Sequence, residues 1–531
     1  MVAHHCPRKA RAALAERLNS DACRIHLLDL PVEKQTRLAV ASRLPSGIPE
    51  DPVGWEDHQL AVELRLARAL ATHAWRAPNA SNADAVLILT NRSKLCAPMF
   101  QASGRGAKGM AYALGAYSKA LWDAALRAAA ALPRGTAPVL QVVSEQDGAC
   151  SRLPMPPDVA AGDDEGGRPT LYLVEALINA RVVGKRAQFF HSPTPFARRP
   201  LQLPAVGAAA EWGARDPATR LLFFAGHVPK LFQSLTRYLL WKQLRNDSRA
   251  TTQSRTINCT VGAYVAACSL SASQVAAKPA RWFEHDFCAP YCAADWAERA
   301  SSSTPSCGTG QRADATVPQL ARALKSRCAR YRSHASLDEL PDMARDSARR
   351  MDYATYLGHA ASHRFCLVVP GDWVGTPKVS EMVAVGGAGG CIPVFVLPHD
   401  GSEGQVARLL PYGRWLDYCE IGYVTPAKVA QRNMSAIMDA LARVSAAEAA
   451  RKHRALRCVR DAFVFRAREE QHGRGPGGTR APDAADFILG EVCHRARLLQ
   501  QPQVSTALLS SVQMRGARHT GCMLPFVPSI T

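Results

Sequence analysis

Apolar residues follow two alternating patterns in the first part of the chain. Short apolar runs predict buried strands, and longer stretches with apolar residues every three or four positions predict helices. The short runs at 24–31, 84–89 and 138–143 predict strands, and the longer stretches at 61–74 and 110–131 predict helices between them. This order is typical of an open, mostly parallel sheet with helices on its faces. The first part of the chain therefore predicts an α/β domain.

The pattern restarts in the second part of the chain. Residues 200–216 predict a linker, and the apolar run RLLFFAG at 220–226 predicts a new strand. Further helices are predicted at residues 230–244, 318–331 and 436–463. We therefore divide the chain into a leader (1–20), a first domain (21–215), a second domain (216–470) and a linker-like and tail region (471–531).

The stretch from residue 356 to residue 400 carries the clearest chemical signal. Two apolar runs, FCLVV at 365–369 and IPVFVL at Ile392–Leu397, predict strands that are covered on both faces. A loop with Gly371 follows the first run, and Lys378 and Glu381 stand where a helix would begin. Open α/β sheets bind ligands at such strand ends, and amides at a helix N-terminus suit phosphate oxygens. The stretch predicts a diphosphate site.

The same stretch resembles a known family. The residues that carry the resemblance are Tyr356, Ser362, FCL at 365–367, Gly371, PKV at 377–379, Glu381 and GCIPV at 390–394. In this order they are similar to the signature of the exostosin-like glycosyltransferases (glycosyltransferase family 47), and weaker similarity spans residues 24–465. The resemblance implies a GT-B-like fold, with two Rossmann-like domains and a cleft between them. It also implies inverting transfer of a sugar from a nucleotide sugar, a UDP-sugar, to a glycan acceptor.

The resemblance implies which residues bind the donor: Gly371, Thr376, Lys378, Ser380, Glu381 and Arg237. Lys378 and Arg237 would offset the diphosphate charge, and Glu381 would accept hydrogen bonds from the ribose hydroxyls. Simpler roles stay open for each, because Glu381 also suits a helix start, Ser380 also suits a helix cap, and Lys378 and Arg237 also suit the surface.

The catalytic base is predicted in the first domain. Asp147 and Glu145 follow the predicted strand at 138–143, so a parallel sheet would place them at the cleft. Asp147 is the first candidate, Glu145 the second, and His191 ranks below them. Asp147 and Gly148 are equally typical of a tight turn.

Two departures from the family pattern favour a second hypothesis. The family has arginine where Lys378 stands, and lysine lacks the planar guanidinium that binds a diphosphate through two hydrogen bonds. The run GGAG at 386–389 also looks like an insertion beside the pocket. The alternative is a catalytically silent member that binds glycans or stabilises a partner. A nucleotide-dependent oxidoreductase is disfavoured, because no Gly-x-Gly-x-x-Gly follows the first strand.

No metal or other cofactor is expected, since the sequence has no Asp-x-Asp pair. Sixteen cysteines are too few for a disulfide scaffold. The closest pair, Cys288 and Cys292, favours a local disulfide or two core thiols over zinc, which needs four ligands.

The formal net charge of +20 comes from arginines scattered along Ala-rich stretches, so nucleic acid is not an expected partner. The positive net charge suits an acidic glycan, a nucleotide-sugar donor or an anionic membrane surface as a partner.

Five Asn-x-Ser/Thr sequons, at Asn79, Asn91, Asn246, Asn258 and Asn433, permit N-glycosylation. With the resemblance, they favour the Golgi lumen or membrane. The sequence shows neither a signal peptide nor an anchor, so we expect membrane association to need an anchor that is missing from this chain.

Overall fold

The computed structural model of the protein describes residues 23–28, 62–89, 139–143, 172–175, 215–218, 220–226, 235–254, 353–370, 376, 378–397, 410–413, 416–465 and 482–500. Asp147, Glu145, His191 and Gly371 lie outside these residues, as do the predicted leader, the predicted helices at 110–131 and 318–331, and Cys288 and Cys292.

The first sheet confirms the strands predicted in the first part of the chain. Its parallel strands lie in chain order: β1 (Ile25–Leu28), β2 (Ala85–Leu89), β3 (Val139–Val143) and β4 (Tyr172–Glu175). Helix α1 (Val62–Thr72) connects β1 to β2 and buries Leu66 and Leu70. These two leucines are four positions apart, so they fall on one face of the helix.

The second sheet is also parallel throughout. Its strand order is β6-β5-β7-β8-β9, from β5 (Leu222–Gly226), β6 (Ala250–Ser254), β7 (Phe365–Val368), β8 (Ile392–Leu397) and β9 (Tyr423–Pro426). The two strands of the 356–400 stretch, β7 and β8, lie next to each other, and every one of their residues is buried. The fold is therefore α/β with two parallel sheets.

The helices of the second part follow the strands. Those within the described ranges are α2 (Leu235–Leu244), α3 (Tyr353–Ser362), α4 (Lys378–Gly387), α5 (Tyr418–Ile421), α6 (Ala427–Arg432), α7 (Met434–Ala442) and α8 (Ala446–Val459). The prediction of one continuous helix at 436–463 is wrong. Ser445 interrupts it, because its hydroxyl accepts a hydrogen bond from the Glu448 amide (3.2 Å) and caps α8. A 3₁₀ helix, Arg460–Phe463, completes the segment.

The glycine run at 386–389 is the end of helix α4 rather than an inserted loop beside the pocket. Gly389 has a φ of 91°, and the amides of Gly389 and Gly390 donate to Gly386 O (3.0 Å) and Val385 O (2.9 Å). This is the Schellman pattern that ends many helices. The run begins about 8–12 Å along the helix from the first turn of α4, since Gly386 follows Glu381 by five residues and Lys378 by eight, at about 1.5 Å each.

Close packing also requires glycine at this helix end. A Cβ on Gly386 would lie 2.8 Å from Leu456 Cδ1, and one on Gly390 would lie 2.4 Å from Val385 Cγ1. The run therefore lets α4 approach α8, and it is an integrated part of the core.

A last helix, α9 (Ala484–Gln500), lies in the region predicted to be linker-like and tail. It buries Ile488, Leu489 and Val492 in the core of the first sheet, while Phe487 belongs to the core of the second. The expectation for this segment is corrected accordingly: Ala484–Gln500 is a helix with a buried face rather than part of a linker or tail.

All six cysteines in the described part of the chain are disulfide-bonded. Cys366 and Cys391 join β7 to the residue before β8, and Cys23 and Cys493 join the first sheet to α9. Cys419 and Cys458 are also bonded. This arrangement fits an oxidising compartment. Within the described ranges, no helix has both the length and the apolar character needed to cross a membrane.

His363 makes the stability of the second domain depend on pH. Its Nδ1 lies 2.7 Å from His359 O and its Nε2 lies 2.8 Å from Thr251 Oγ1, an arrangement that a neutral ring satisfies. Burial lowers the pKa of His363 to about 4. The unfolded chain takes up this proton near pH 6.5, so the stabilisation is complete above that pH and is lost as the pH falls toward 4.

We expect the free energy of unfolding to fall by about 1–3 kcal/mol between pH 7 and pH 5 through this residue. Urea unfolding at the two pH values measures the loss, and His363→Gln should show a shallower dependence. Equal pH dependence of the variant and the unmodified protein would contradict the assignment.

Candidate functional site

The carboxyl edge of the second sheet brings together two helix starts. Strands β5 and β7 are parallel neighbours, α2 follows β5, and α4 follows β7. Both helices therefore begin at the same edge of the sheet. Arg237 is the third residue of α2 and Lys378 is the first residue of α4. The topology places two cations at the edge where open α/β sheets bind ligands.

Glu381 is the buried carboxylate of the site. Its side chain is only 1% exposed, and it lies in the first turn of α4. The Tyr356 hydroxyl donates to Glu381 Oε2 (2.9 Å), and Lys378 Nζ lies 3.2 Å from the same oxygen. A buried carboxylate is costly unless it is paired and hydrogen-bonded, and these two contacts provide both.

Lys378 also stacks on an aromatic ring. Its Nζ lies 3.6 Å from the centroid of the Tyr356 ring, well within the range of a cation–π contact. The lysine side chain is 21% exposed, so it reaches the surface of the site while its ammonium contacts Glu381. It is therefore not a freely solvated surface lysine.

Thr376, rather than Ser380, takes the capping position. Thr376 Oγ1 accepts from the Lys378 amide (3.4 Å), and the Val379 amide donates to Thr376 O (3.1 Å). Ser380 lies inside the first turn of α4, and its buried Oγ has no hydrogen-bond partner among the residues that the structure describes. A buried hydroxyl without a partner costs about 1–3 kcal/mol, which a bound ligand would recover.

Arg237 is buried at the end of β7 and does not lie on the surface. Its Nη2 donates to Val369 O (3.1 Å), the carbonyl that directly follows the strand, and the residue is 9% exposed. Cations near a helix N-terminus are unfavourable by about 0.3–1 kcal/mol each, because the helix dipole is positive there. Arg237 and Lys378 therefore concentrate positive charge at this edge of the sheet, and the Lys378 charge is paired with Glu381.

The arrangement suits a phosphorylated ligand with hydroxyl groups. Arg237 and the Ser380 hydroxyl are donors that suit phosphate oxygens, and the Glu381 carboxylate is an acceptor that suits hydroxyls. Within the described ranges, the structure has no group of three or more His, Cys, Asp or Glu side chains that would hold a metal ion.

The structure thus places four of the predicted donor-binding residues, Thr376, Lys378, Ser380 and Glu381, on one short segment. Arg237 lies at the end of the strand that precedes this segment. Tyr356 belongs to the family pattern but not to the predicted site residues, and its contacts with Lys378 and Glu381 add it to the site. Gly371, Asp147 and Glu145 stay predictions, since they lie outside the described residues.

Comparison with models of known protein families gives no match, and comparison with curated proteins finds no similar sequence. Function must therefore be argued from the residues of the site.

Proposed function

We propose that the protein is a glycosyltransferase of the exostosin-like family with a GT-B-like fold. It would transfer a sugar from a nucleotide sugar, a UDP-sugar, to a glycan acceptor with inversion. The observation that supports this best is the carboxyl edge of the second sheet, where Arg237, Lys378 and the buried Glu381 lie around the start of α4. The choice of a UDP-sugar rests on the resemblance alone.

Each group has a role in this proposal. Arg237 and the Ser380 hydroxyl bind the diphosphate and stabilise the charge that develops on it as the sugar leaves. Glu381 accepts hydrogen bonds from the ribose. Because these donors supply the positive charge, transfer requires no metal. A base in the first domain, with Asp147 as the first candidate and Glu145 as the second, removes the proton of the acceptor hydroxyl.

A second candidate is the silent subunit that binds glycans or stabilises a partner. The glycine run no longer favours it, because the run is the regular end of α4 and begins about 8–12 Å along the helix from its first turn. Lys378 still favours the silent subunit, since its ammonium contacts Glu381 and less of its charge is left to offset a diphosphate. Nucleotide binding without sugar transfer would favour this candidate.

The compartment follows from the same proposal. A lumenal Golgi enzyme would carry glycans, and Asn79 and Asn246 are exposed sequons in the described part of the chain. Expression in a eukaryotic host followed by glycosidase treatment tests this, and an unchanged electrophoretic mobility would argue against the compartment.

A donor screen tests the proposal. The full chain is incubated with a panel of UDP- and GDP-sugars, and release of the nucleotide is measured with and without a chelator. We expect at least one UDP-sugar to be hydrolysed or transferred, with little effect of the chelator. Absence of turnover with every donor, together with retained UDP binding, would favour the silent subunit. Loss of turnover in the chelator would contradict the metal-free route.

A further inference from the structure

We infer that Tyr356 is a positioning residue that fixes Glu381 for recognition of the ribose. This inference rests on the proposed function and concerns the same site. Tyr356 lies on α3, which precedes β7 in the chain, and it contacts two residues of α4, which follows β7. Its hydroxyl and its ring make separate contacts with Glu381 and Lys378.

The contacts of Tyr356 orient the carboxylate. The tyrosine hydroxyl and the Lys378 ammonium meet at one oxygen, Oε2, at 2.9 Å and 3.2 Å. A glutamate side chain has several rotamers, and each contact limits the orientations that Glu381 can adopt. Because the lysine ammonium also lies over the tyrosine ring, one residue holds both members of the ion pair.

Tyr356 is itself held in place. It is 7% exposed, and its ring lies 5.7 Å from the ring of Phe223 on β5. The carboxylate is thus supported through α3 and β5 as well as by its own helix. A functional group is positioned well when the residues behind it are locked by packing.

The predicted consequence is selectivity for nucleotides that carry both ribose hydroxyls. A carboxylate held in one orientation accepts from ribose hydroxyls and is left unpaired when a hydroxyl is missing, whereas a mobile carboxylate adapts to either ligand. Tyr356 would therefore affect discrimination between UDP and its deoxy analogues more than it affects nucleotide binding in general.

The test compares Tyr356→Phe with the unmodified full chain. The variant keeps the ring beneath Lys378 and removes only the hydroxyl. Dissociation constants are measured by calorimetry for UDP, 2′-deoxy-UDP and 3′-deoxy-UDP. For the unmodified protein we expect UDP to bind about 10-fold or more tightly than at least one deoxy analogue. For Tyr356→Phe we expect this ratio to fall to about 3-fold or less.

The chain offers a matched control in Tyr423→Phe. The Tyr423 hydroxyl donates to Glu448 Oε1 (2.6 Å), and Lys452 Nζ lies 4.1 Å from the centroid of its ring, so the control removes the same kind of hydrogen bond. Tyr423 begins β9 and so lies at the opposite, amino edge of the sheet. This variant should leave the discrimination ratio unchanged.

The double variant Tyr356→Phe/Glu381→Gln adds a second criterion. If Tyr356 acts through Glu381, the double variant has the same ratio as Glu381→Gln alone. If Tyr356→Phe leaves the discrimination ratio between UDP and the deoxy analogue unchanged, or if the two substitutions lower this ratio additively, Tyr356 does not position Glu381. UDP binding at the site would be unaffected by that result. Failure of the unmodified chain to bind UDP would instead overturn the proposed function, and this inference with it.

Discussion

Replacing Arg215 with methionine is expected to lower the free energy of unfolding by about 3–5 kcal/mol, because three carbonyls lose their buried donor. Arg215 is 2% exposed and precedes β5. Its guanidinium donates to three carbonyls, His363 O (2.9 Å), Gly390 O (3.0 Å) and Gly389 O. Methionine preserves much of the volume but leaves these acceptors unpaired, at about 1–3 kcal/mol for each buried group.

The loss is measured by urea unfolding of the full chain with its disulfides intact. Arg454→Met serves as the control, because Arg454 is exposed on α8 and its replacement should change stability by less than about 0.5 kcal/mol. A loss below about 1 kcal/mol for Arg215→Met would contradict the idea that this arginine ties the end of α4 to the start of β5.

Replacing Arg237 with methionine is expected to weaken UDP binding by about 2–4 kcal/mol, or roughly 30- to 1000-fold. Arg237 is buried where β7 ends, and under the proposed function its guanidinium would bind phosphate oxygens in a desolvated setting. The affinity of Arg237→Lys for UDP should lie between those of Arg237→Met and the unmodified protein, because lysine keeps the charge but lacks the planar guanidinium.

Lys242→Met is the matched control, since Lys242 lies in the last turn of the same helix, away from the carboxyl edge of the sheet. Calorimetry with UDP should give it an unchanged dissociation constant. If Arg237→Met also binds within about 3-fold of the unmodified protein, Arg237 is not a diphosphate ligand.

The buried strands were predictable because their sequences are unambiguous. FCLV and IPVFVL are too short and too apolar for an amphipathic helix, and both are buried throughout in the structure. The two edge strands of the same sheet were not predicted. ATTQS of β6 is mostly polar, and YVTP of β9 has only four residues, so neither has the apolar run that marks an inner strand.

Two helix starts were missed although the sequence contains their signals. Ser445 and Glu448 are spaced as a capping box and begin α8 in the middle of the predicted long helix. Asp483 and Asp486 have the same spacing before α9, where the Asp483 Oδ1 accepts from the Ala485 amide (3.0 Å). The Gly- and Pro-rich stretch before α9 concealed this start, because such composition predicts a linker.

The candidate site was predictable in part. The order of strand, loop and helix start placed Lys378, Ser380 and Glu381 correctly at the first turn of α4. The contact of Tyr356 with Glu381 joins residues 25 positions apart on different helices, and no periodicity within either helix predicts it. The burial of Arg237 depends likewise on the pairing of β5 with β7, which is a property of the tertiary fold.

The central claim is that the donor nucleotide binds at the carboxyl edge of the second sheet, and photolabelling tests it most directly. The full chain is irradiated with 5-azido-UDP, with and without excess UDP, and the labelled peptides are mapped by mass spectrometry. We predict UDP-protected labelling within residues 353–397 that Arg237→Met reduces strongly. Protected labelling of the first domain instead, for example at the glycine-rich residues 104–109 (GRGAKG), or no protected labelling at all, would contradict the claim.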